Sequence, residues 1–347
     1  MPQDGNSRQA RHAAVVYNPV KVDEASLRQT VAAAAERAGW PETRWYATSE
    51  EDPGTGQAKR AVQGGAGIVL AAGGDGTIRA VAEGLRGTDV PIALLPSGTG
   101  NLLARNMKLT LDRLEESVET AFTGTDRHID LGIVEMERPG GERETRAFLV
   151  MAGIGLDAAM IANTDPELKK RVGWLAYVGG IARSLGGKNY IRLRFRLDDG
   201  PARNLRVNTM LIGNCGLLTG NILLLPDAVV DDGVFDIVAL RPEGLFGWIQ
   251  IIVKVVWENG VLRRSTLGRK ILANTKEVRT LRYLRGRQIV IRPDDPRPVQ
   301  LDGDTFGQVV RLRAHVEELA LAVRIPRDEA DALPASDKAR AEEQVPV

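Results

Sequence analysis

The sequence predicts an α/β domain followed by a β-rich domain, and three observations lead to this prediction. The N-terminal third alternates short apolar runs with helical patterns. After about Arg127 the chain is dominated by β-type runs. Two of the early apolar runs end in glycine-rich loops that open directly into helical patterns. We therefore expect an N-terminal doubly wound α/β domain and a C-terminal antiparallel β-sandwich domain.

Composition limits the classes of protein to which the chain can belong. Of its 347 residues, 43% are apolar and 26% are charged, which is typical of a folded globular protein. The net charge of +1 gives no reason to expect a nucleic-acid partner. Cys215 is the only cysteine, so an intrachain disulfide is excluded and a reducing cytoplasm is expected. The polar N-terminus lacks the apolar core of a signal peptide, and no apolar run is long enough to span a bilayer.

The first domain is expected to be a parallel sheet covered by helices, because strands and helices alternate with short connections. Its predicted strands are 13–17, 44–47, 67–71 and 91–95, and its predicted helices are 26–38, 56–62, 77–85, 101–107 and 111–122.

The second domain is expected to be antiparallel, since residues 191–197 alternate strictly between apolar and charged side chains. Its strands are predicted at 129–136, 146–151, 190–197, 205–212, 234–240, 288–291 and 299–301, with helical insertions at 174–184 and 245–262. The last periodic segment, 319–325, either ends the sandwich or returns to the first domain. The predicted organisation is a disordered tail at 1–11, the α/β domain at 12–128, the β-rich domain at 129–312, a terminal strand at 313–326 and a disordered tail at 327–347.

The first glycine loop, Gly73-Gly74-Asp75-Gly76-Thr77, lies between a buried strand and a helix. Glycines let the backbone approach a phosphate closely, and the helix start offers N–H donors and the positive end of a dipole. Asp75 would repel phosphate unless a divalent cation or a substrate hydroxyl lay between them, which points to metal-assisted chemistry. The alternative is a tight turn in which Asp75 is an N-cap.

A second glycine loop, Gly98-Thr99-Gly100-Asn101, repeats this arrangement one strand later. Because neighbouring parallel strands bring their carboxyl ends to one edge of a sheet, we expect the two loops to form a ligand site there. Asn18 and Thr48 follow the first two strands and are expected at the same edge, although Asn18-Pro19 taken alone is more often a plain turn.

At this point the sequence resembles the diacylglycerol kinase catalytic-domain family, which includes sphingosine, ceramide and bacterial lipid kinases. The resemblance covers roughly residues 13–325. Its motifs are Asn18-Pro19, both glycine loops, Asp130-Leu131-Gly132, Gly153-Ile154-Gly155-Leu156-Asp157-Ala158, Asp231-Asp232-Gly233 and Leu301-Asp302-Gly303.

The resemblance implies an ATP- and Mg²⁺-dependent lipid kinase whose active site lies in the interdomain cleft. The residues implied around the nucleotide are Asn18, Thr48, Gly73, Gly74, Asp75, Gly76, Thr77, Gly98, Thr99 and Asn101. Neither loop contains a lysine, so charge neutralisation is expected from the metal and from arginines such as Arg105, which could instead pair with a surface carboxylate.

The resemblance also assigns a metal-holding loop. Asp232 would be the carboxylate ligand, beside the main-chain oxygens of Val229 and Val234, which suits a hard cation such as Mg²⁺. The alternative is a β-turn whose aspartates bind their own backbone.

The proton acceptor is the position at which the sequence departs from the family pattern. Asp302-Gly303-Asp304 aligns with the family's Asp-Gly-Glu, whose acidic residues activate the acceptor hydroxyl. The final Glu is replaced by Asp304, which withdraws the carboxylate by about 1.5 Å if the backbone stays in place. Asp304, Asp302 and Asp75 therefore all remain candidate bases. The alternative for Asp302-Gly303 is a hairpin turn.

The acceptor is expected to be a lipid, most simply diacylglycerol converted to phosphatidic acid, met at the inner face of the membrane. Aromatic and basic residues at 244–264 and 169–188 suit a membrane interface, although core packing explains each segment alone. Asp157 could recognise a lipid head group or act as an N-cap. A soluble-metabolite kinase resembling NAD kinase, and a nucleotide- or lipid-binding pseudokinase, are the other hypotheses, and a homodimer is possible.

Overall fold

In the computed structural model, residues 11–155, 190–218, 222–241 and 281–327 are described below. The chain divides into two compact units, the first comprising Met1–Ile129 with Leu319–Val347 and the second comprising Asp130–Glu318.

The first unit is an α/β domain with a parallel sheet, as predicted. Its described elements are β1 (His12–Tyr17), α1 (Glu24–Arg37), β2 (Arg44–Ala47), α2 (Thr55–Gln63), β3 (Ala66–Gly73), α3 (Asp75–Leu85), β4 (Ile92–Pro96), α4 (Leu102–Asn106) and α5 (Leu114–Thr123). The strand order is β2-β1-β3-β4, and all three pairings are parallel. Crossover helices therefore bring every strand's carboxyl end to one edge.

The core of the first unit follows from this pattern. Apolar residues of β1, β3 and β4 pack with the buried stripes of α1 and α5, including Leu27, Val31 and Val118, each at most 2% exposed. The end of the chain adds a further parallel strand, in which Val323 pairs with Ile92 of β4. The terminal segment thus returns to the first unit at Leu319.

The second unit is an antiparallel β-sandwich, as predicted. Its strands begin with β5 (Thr125–Glu137), which starts in the first unit, and end with β18 (Arg311–Ile325), which finishes there. Between them lie β6 (Arg143–Phe148), β7 (Met151–Ile154), β8 (Ile191–Leu197), β9 (Arg203–Val207), β10 (Thr209–Gly213), β11 (Leu217–Leu218), β12 (Ile222–Leu223), β13 (Phe235–Leu240), β14 (Leu281–Gly286), β15 (Gln288–Pro293), β16 (Arg297–Leu301) and β17 (Asp304–Val309).

Two antiparallel layers enclose the core of this unit. One layer has the order β14-β13-β10-β7-β16-β17, and the other contains β18-β15-β8-β9 with β5 and β6. Buried residues of both layers form one cluster, in which the rings of Phe148 and Phe235 stack with centroids 5.4 Å apart. The inward residues of β8, Ile191, Leu193 and Phe195, are at most 3% exposed, as its alternation predicts.

Two segments that were each predicted as one continuous strand are interrupted in the structure. Segment 146–151 is two strands, because the amides of Leu149, Val150 and Met151 bond to the Asp302 carboxylate instead of continuing a ladder. Segment 205–212 is also two strands, since the chain leaves one layer and enters the other at Asn208. The predicted helical insertions and the tail after residue 327 lie outside the described residues.

Candidate functional site

The two glycine loops meet at the carboxyl edge of the first unit's sheet. Gly73 at the end of β3 pairs with Pro96 at the end of β4, and Ser97 N donates to Gly73 O at 3.0 Å. A Cβ built on Gly98 would lie 2.8 Å from the Cα of Gly74, which is closer than side-chain carbons pack. Glycine is therefore required at this contact by the close approach of two backbones.

The start of α3 offers backbone donors. Gly74 is its N-cap, and no described side chain caps this end of the helix. The first-turn amides and the positive end of the helix dipole suit an anion placed over the loop. Thr77 is buried, and its side chain fills the space beside Gly73, where a Cβ would come within 2.7 Å of it. Thr77 thus packs under the loop.

Asp75 joins the two loops. It is the first residue of α3, and its Oδ1 accepts a hydrogen bond of 2.5 Å from Leu102 N, the first residue of α4. A Cβ on Gly100 would lie 2.3 Å from Asp75 Oδ2, so the carboxylate sits directly against the second loop. Asp75 therefore caps the neighbouring helix, not its own. This contact fixes the spacing of the loops.

The second loop is held by its own side chains. Asn101 is 4% exposed, has a left-handed φ of 48°, and both accepts from Gly98 N at 3.1 Å and donates to Gly98 O at 3.0 Å. Arg105 Nε donates to Gly100 O at 2.7 Å, so this guanidinium braces the loop. Thr99 at the tip is exposed.

Asn18 and Thr48 complete the same edge. Asn18 N donates to Ala72 O at 2.9 Å, and Thr48 N donates to Tyr17 O at 2.9 Å, so each residue extends its strand pairing by one step. Asn18 Oδ1 accepts from Val20 N at 3.0 Å, which closes the turn that follows β1. The turn directs the next residue, Lys21, back over the first glycine loop.

Lys21 is the residue that the sequence analysis missed. Its Nζ lies 2.8 Å from the position of a Cβ on Gly74, and its side chain is exposed. It also lines a cavity of about 210 Å³ with Pro96, Ser97 and Leu114. Neither glycine loop contains a lysine, and Lys21 thus supplies a cationic side chain to them from another loop. The sequence feature that could have pointed to Lys21 is its position three residues after Asn18, in the turn that follows β1.

The predicted metal loop in the second unit is occupied by a cation from the protein itself. Asp232 Oδ1 accepts from Val234 N at 3.2 Å, and Asp232 Oδ2 accepts from Arg285 at 2.5 Å. Arg285 also pairs with Asp236 at 3.2 Å. Burial raises the pKa of Asp236, with Arg285 opposing this shift and Asp232 and Asp227 adding to it. Val229 is 45% exposed.

Each oxygen of Asp232 therefore already accepts one hydrogen bond, and a divalent cation bound at this loop would have to displace the Arg285 guanidinium. Within the described ranges, no group of three or more histidine, cysteine or acidic side chains could hold a metal ion. The buried carboxylate of Asp130 accepts from Gly233 N at 2.7 Å, and Asp130 N donates to Val230 O at 2.7 Å. These two bonds join the Asp130 motif to the loop.

Asp302 and Asp304 occupy different environments. Asp302 and Gly303 have φ of 49° and 93°, the left-handed pair of a two-residue hairpin turn between β16 and β17. Asp302 is 6% exposed, and its carboxylate accepts from Leu149 N and Val150 N at 2.8 Å and from Met151 N at 2.9 Å. Asp304 is exposed at the start of β17.

The remaining predicted segments are not placed. Asp157 and the segments 169–188 and 244–264 lie outside the described residues. In the part of the chain that is described, no helix combines the length and apolar character needed to cross a bilayer.

Comparison with known protein families assigns both units. Residues 12–134 match the diacylglycerol kinase catalytic domain, and residues 149–324 match the YegS C-terminal NAD kinase beta sandwich-like domain. The chain belongs to the diacylglycerol kinase family. A diacylglycerol kinase of Staphylococcus carnosus is 26% identical over 317 residues, which cover 88% of this chain and 94% of the relative. A probable lipid kinase YegS-like of Pseudomonas aeruginosa is 33% identical over 220 residues, covering 62% of this chain and 68% of the relative.

The fold agrees with this membership. The crystal structure of a putative diacylglycerol kinase from Bacillus anthracis superposes with a TM-score of 0.67 at 18% identity, covering 93% of this chain and 98% of that one. As a member of the diacylglycerol kinase family, the protein is a phosphotransferase with an alcohol group as acceptor. The resemblance stated from the sequence is confirmed.

Proposed function

We propose that this kinase transfers the γ-phosphoryl group of ATP to the hydroxyl of a lipid, with diacylglycerol as the acceptor and phosphatidic acid as the product. The observation that best supports ATP as the donor is the contact of Gly74 with Gly98 beneath the uncapped start of α3. Two backbones this close leave a flat, donor-rich surface on which a chain of phosphates can lie.

The nucleotide would be bound chiefly by the backbone. Gly73, Gly74, Gly76 and the neighbouring Gly98 and Thr99 would face the phosphates, while the Asn18 turn and Thr48 border them. Asp75, Asn101 and Arg105 are assigned positioning roles, since their hydrogen bonds hold the loops together. Phosphoryl transfer depends on alignment and charge neutralisation, so a rigid pair of loops contributes directly to rate.

Lys21 is proposed to neutralise phosphate charge. Its side chain makes no ion pair with a carboxylate in the described part of the chain, and its Nζ lies over Gly74. A lysine ammonium can approach phosphate as a compact point charge. This role replaces the one that the sequence suggested for Arg105.

Mg²⁺ is proposed to accompany the nucleotide phosphates, where it would neutralise charge on the transferred group. Asp232 with the carbonyls of Val229 and Val234 remains the predicted loop for a protein-bound divalent cation. Because Arg285 now neutralises Asp232, that prediction requires the guanidinium to leave, and we derive no chemical step from it.

Asp304 is the proposed proton acceptor. The lipid hydroxyl would lose its proton to the Asp304 carboxylate as its oxygen attacks the γ-phosphorus, while the bond to the β,γ-bridging oxygen breaks and ADP leaves. Asp302 is assigned a positioning role, because its lone pairs are directed at three amides. We place the enzyme in the cytoplasm, where it would meet this substrate at the inner face of the membrane.

The decisive experiment supplies the purified chain with labelled ATP and Mg²⁺ and three acceptors: dioctanoylglycerol or sphingosine in neutral detergent micelles, and NAD in solution. We expect label in dioctanoylglycerol. Label in NAD but in no lipid would refute a lipid acceptor, and nucleotide binding without transfer to any acceptor would refute a kinase.

The same assay locates the base. Asp304→Asn should lower kcat by about 100-fold or more, the size of a general-base contribution. Asp304→Glu should retain or raise the rate. Asp294→Asn is the matched control, because it removes an exposed carboxylate from the turn between β15 and β16. Equal rates for Asp304→Asn and the control would exclude Asp304 as the base.

A further inference from the structure

One face of the second unit's sheet is unusually rich in arginine. The adjacent strands β9, β8 and β15 contain six arginines and no acidic residue. We define the arginine face as Arg192, Arg194, Arg196, Arg206 and Arg292, all of which are exposed. The chain as a whole has a net charge of only +1, so this concentration of positive charge is local.

The strand register places these side chains together. Arg192 pairs with Arg206 of β9, and Arg194 pairs with Arg292 of β15. Directly paired residues point to the same side of a sheet, as do residues two apart along a strand. The five arginines therefore project from the side opposite the buried Ile191, Leu193 and Phe195, from backbone positions spaced about 5 Å across strands and about 7 Å along them.

Folding alone does not explain this arrangement. Like charges directly opposite each other destabilise a strand pair. Within the described ranges none of the five arginines forms an ion pair, and the nearby Asp198, Asp199, Asp294 and Asp295 lie in turns at the strand ends.

Arginines on the neighbouring strand behave differently. Arg313 of β18 pairs with Glu135 at 2.9 Å, and Arg311 lies 3.9 Å from Glu137. Within the arginine face, Arg206 makes a cation–π contact, lying 4.2 Å over the Tyr190 ring. The unpaired positive charge is thus confined to the outer part of the sheet, where an external anionic partner can neutralise it.

We propose that the arginine face docks on an anionic lipid bilayer. A sheet face carrying five guanidinium groups matches a surface of phosphate head groups, to which arginine binds bidentately. Basic residues close to an anionic leaflet strengthen adsorption additively. The choice of a lipid partner rests on the proposed function, because a diacylglycerol substrate lies in a bilayer and the enzyme must reach it at the bilayer surface.

Nucleic acid is the less suitable anion for this face. Single strands bind to sheets largely by stacking on aromatic side chains. The residues that share the face, including Asn204 and Val290, are not aromatic, and the adjacent Tyr190 ring is already covered by Arg206.

The test compares three forms of the full chain for sedimentation with vesicles. These are the wild type, the triple variant Arg192→Gln/Arg194→Gln/Arg196→Gln, and a control with the same charge change, Arg37→Gln/Arg60→Gln/Arg143→Gln. One set of vesicles contains only phosphatidylcholine, and the other contains phosphatidylcholine with about 30% phosphatidylglycerol. We expect wild type and control to bind only the anionic vesicles, with affinity falling steeply as salt rises. The triple variant should bind them about 100-fold more weakly, from roughly 5-fold per arginine.

Activity on dioctanoylglycerol in neutral detergent micelles separates this proposal from the proposed function. We expect the triple variant to match the wild type there, since no bilayer is involved. Equal vesicle binding by the triple variant and the control would overturn docking through this face, whatever the kinase activity. Salt-insensitive binding by the wild type, or tighter binding to single-stranded RNA than to anionic vesicles, would also overturn it.

Discussion

Replacing Asp302 by asparagine separates a positioning carboxylate from a catalytic base. The carboxylate accepts three amide hydrogen bonds, two at Oδ1 and one at Oδ2, of 2.8 to 2.9 Å. Asparagine keeps one accepting oxygen and presents an NH₂ group to the remaining amide. It also tolerates the left-handed φ of 49°, so the backbone turn itself is not strained.

The expected loss follows from these contacts. One hydrogen bond to a charged acceptor contributes about 1.5 to 3 kcal/mol, and leaving a buried donor without a partner costs about 1 to 3 kcal/mol. Relaxation of the turn recovers part of this cost, so we expect Asp302→Asn to lower the free energy of unfolding by about 3 kcal/mol. For a unit of this size the corresponding fall in Tm is about 6 to 12 °C.

Two measurements decide the outcome. Urea unfolding, followed by tryptophan fluorescence and circular dichroism, reports stability, while the micelle assay at saturating ATP reports kcat. The reasoning predicts a large stability loss with kcat at 15 °C reduced by less than about 10-fold, compared with about 100-fold or more for a missing base. Unchanged stability together with a loss of rate as large as that of Asp304→Asn would refute it.

Four further predictions follow from the site and the first unit. Gly98→Ala should raise the KM for ATP and destabilise the fold by about 1 to 3 kcal/mol, because the new Cβ would meet the Gly74 backbone. Gly140→Ala should have neither effect, because a Cβ built on Gly140 has no heavy atom within 4 Å. Lys21→Gln should raise the KM for ATP about 10-fold with little change in kcat, and Lys59→Gln on the exposed side of α2 should be silent; equal KM values would remove Lys21 from the site. Arg285→Gln removes the guanidinium that pairs with Asp232. If this loop binds a divalent cation, the variant should reach half its maximal rate at a lower Mg²⁺ concentration than the wild type or Arg282→Gln. No difference would exclude Asp232 as a ligand. Burial and Arg44 lower the pKa of His12 below its ordinary 6.5, so the unfolded chain binds the proton more readily and the free energy of unfolding should fall as pH drops through 6.5. In His12→Leu the urea midpoint should therefore fall less between pH 7.5 and pH 5.5 than in the wild type. Identical slopes for the two proteins would contradict this prediction.

Much of the fold was predictable because its signals are local. Alternating strand and helix patterns gave the parallel sheet of the first unit, and the period-two arginines of β8 gave a strand with one wet face. The glycine loops were predicted to share an edge, and the adjacency of β3 and β4 confirms this. Strand continuity was mistaken where a distant group intervened, as Asp302 does at Leu149 to Met151.

The site was less predictable because its contacts join residues far apart in the chain. The sequence by itself determined the two glycine loops, the Asn18 turn and the aspartates that accompany them. Only the tertiary structure decided that Asp75 bonds to Leu102, 27 residues away, and that Asp302 bonds to Leu149, 153 residues away. A carboxylate's role depends on which donors fold against it, and donors so distant leave no local pattern in the sequence.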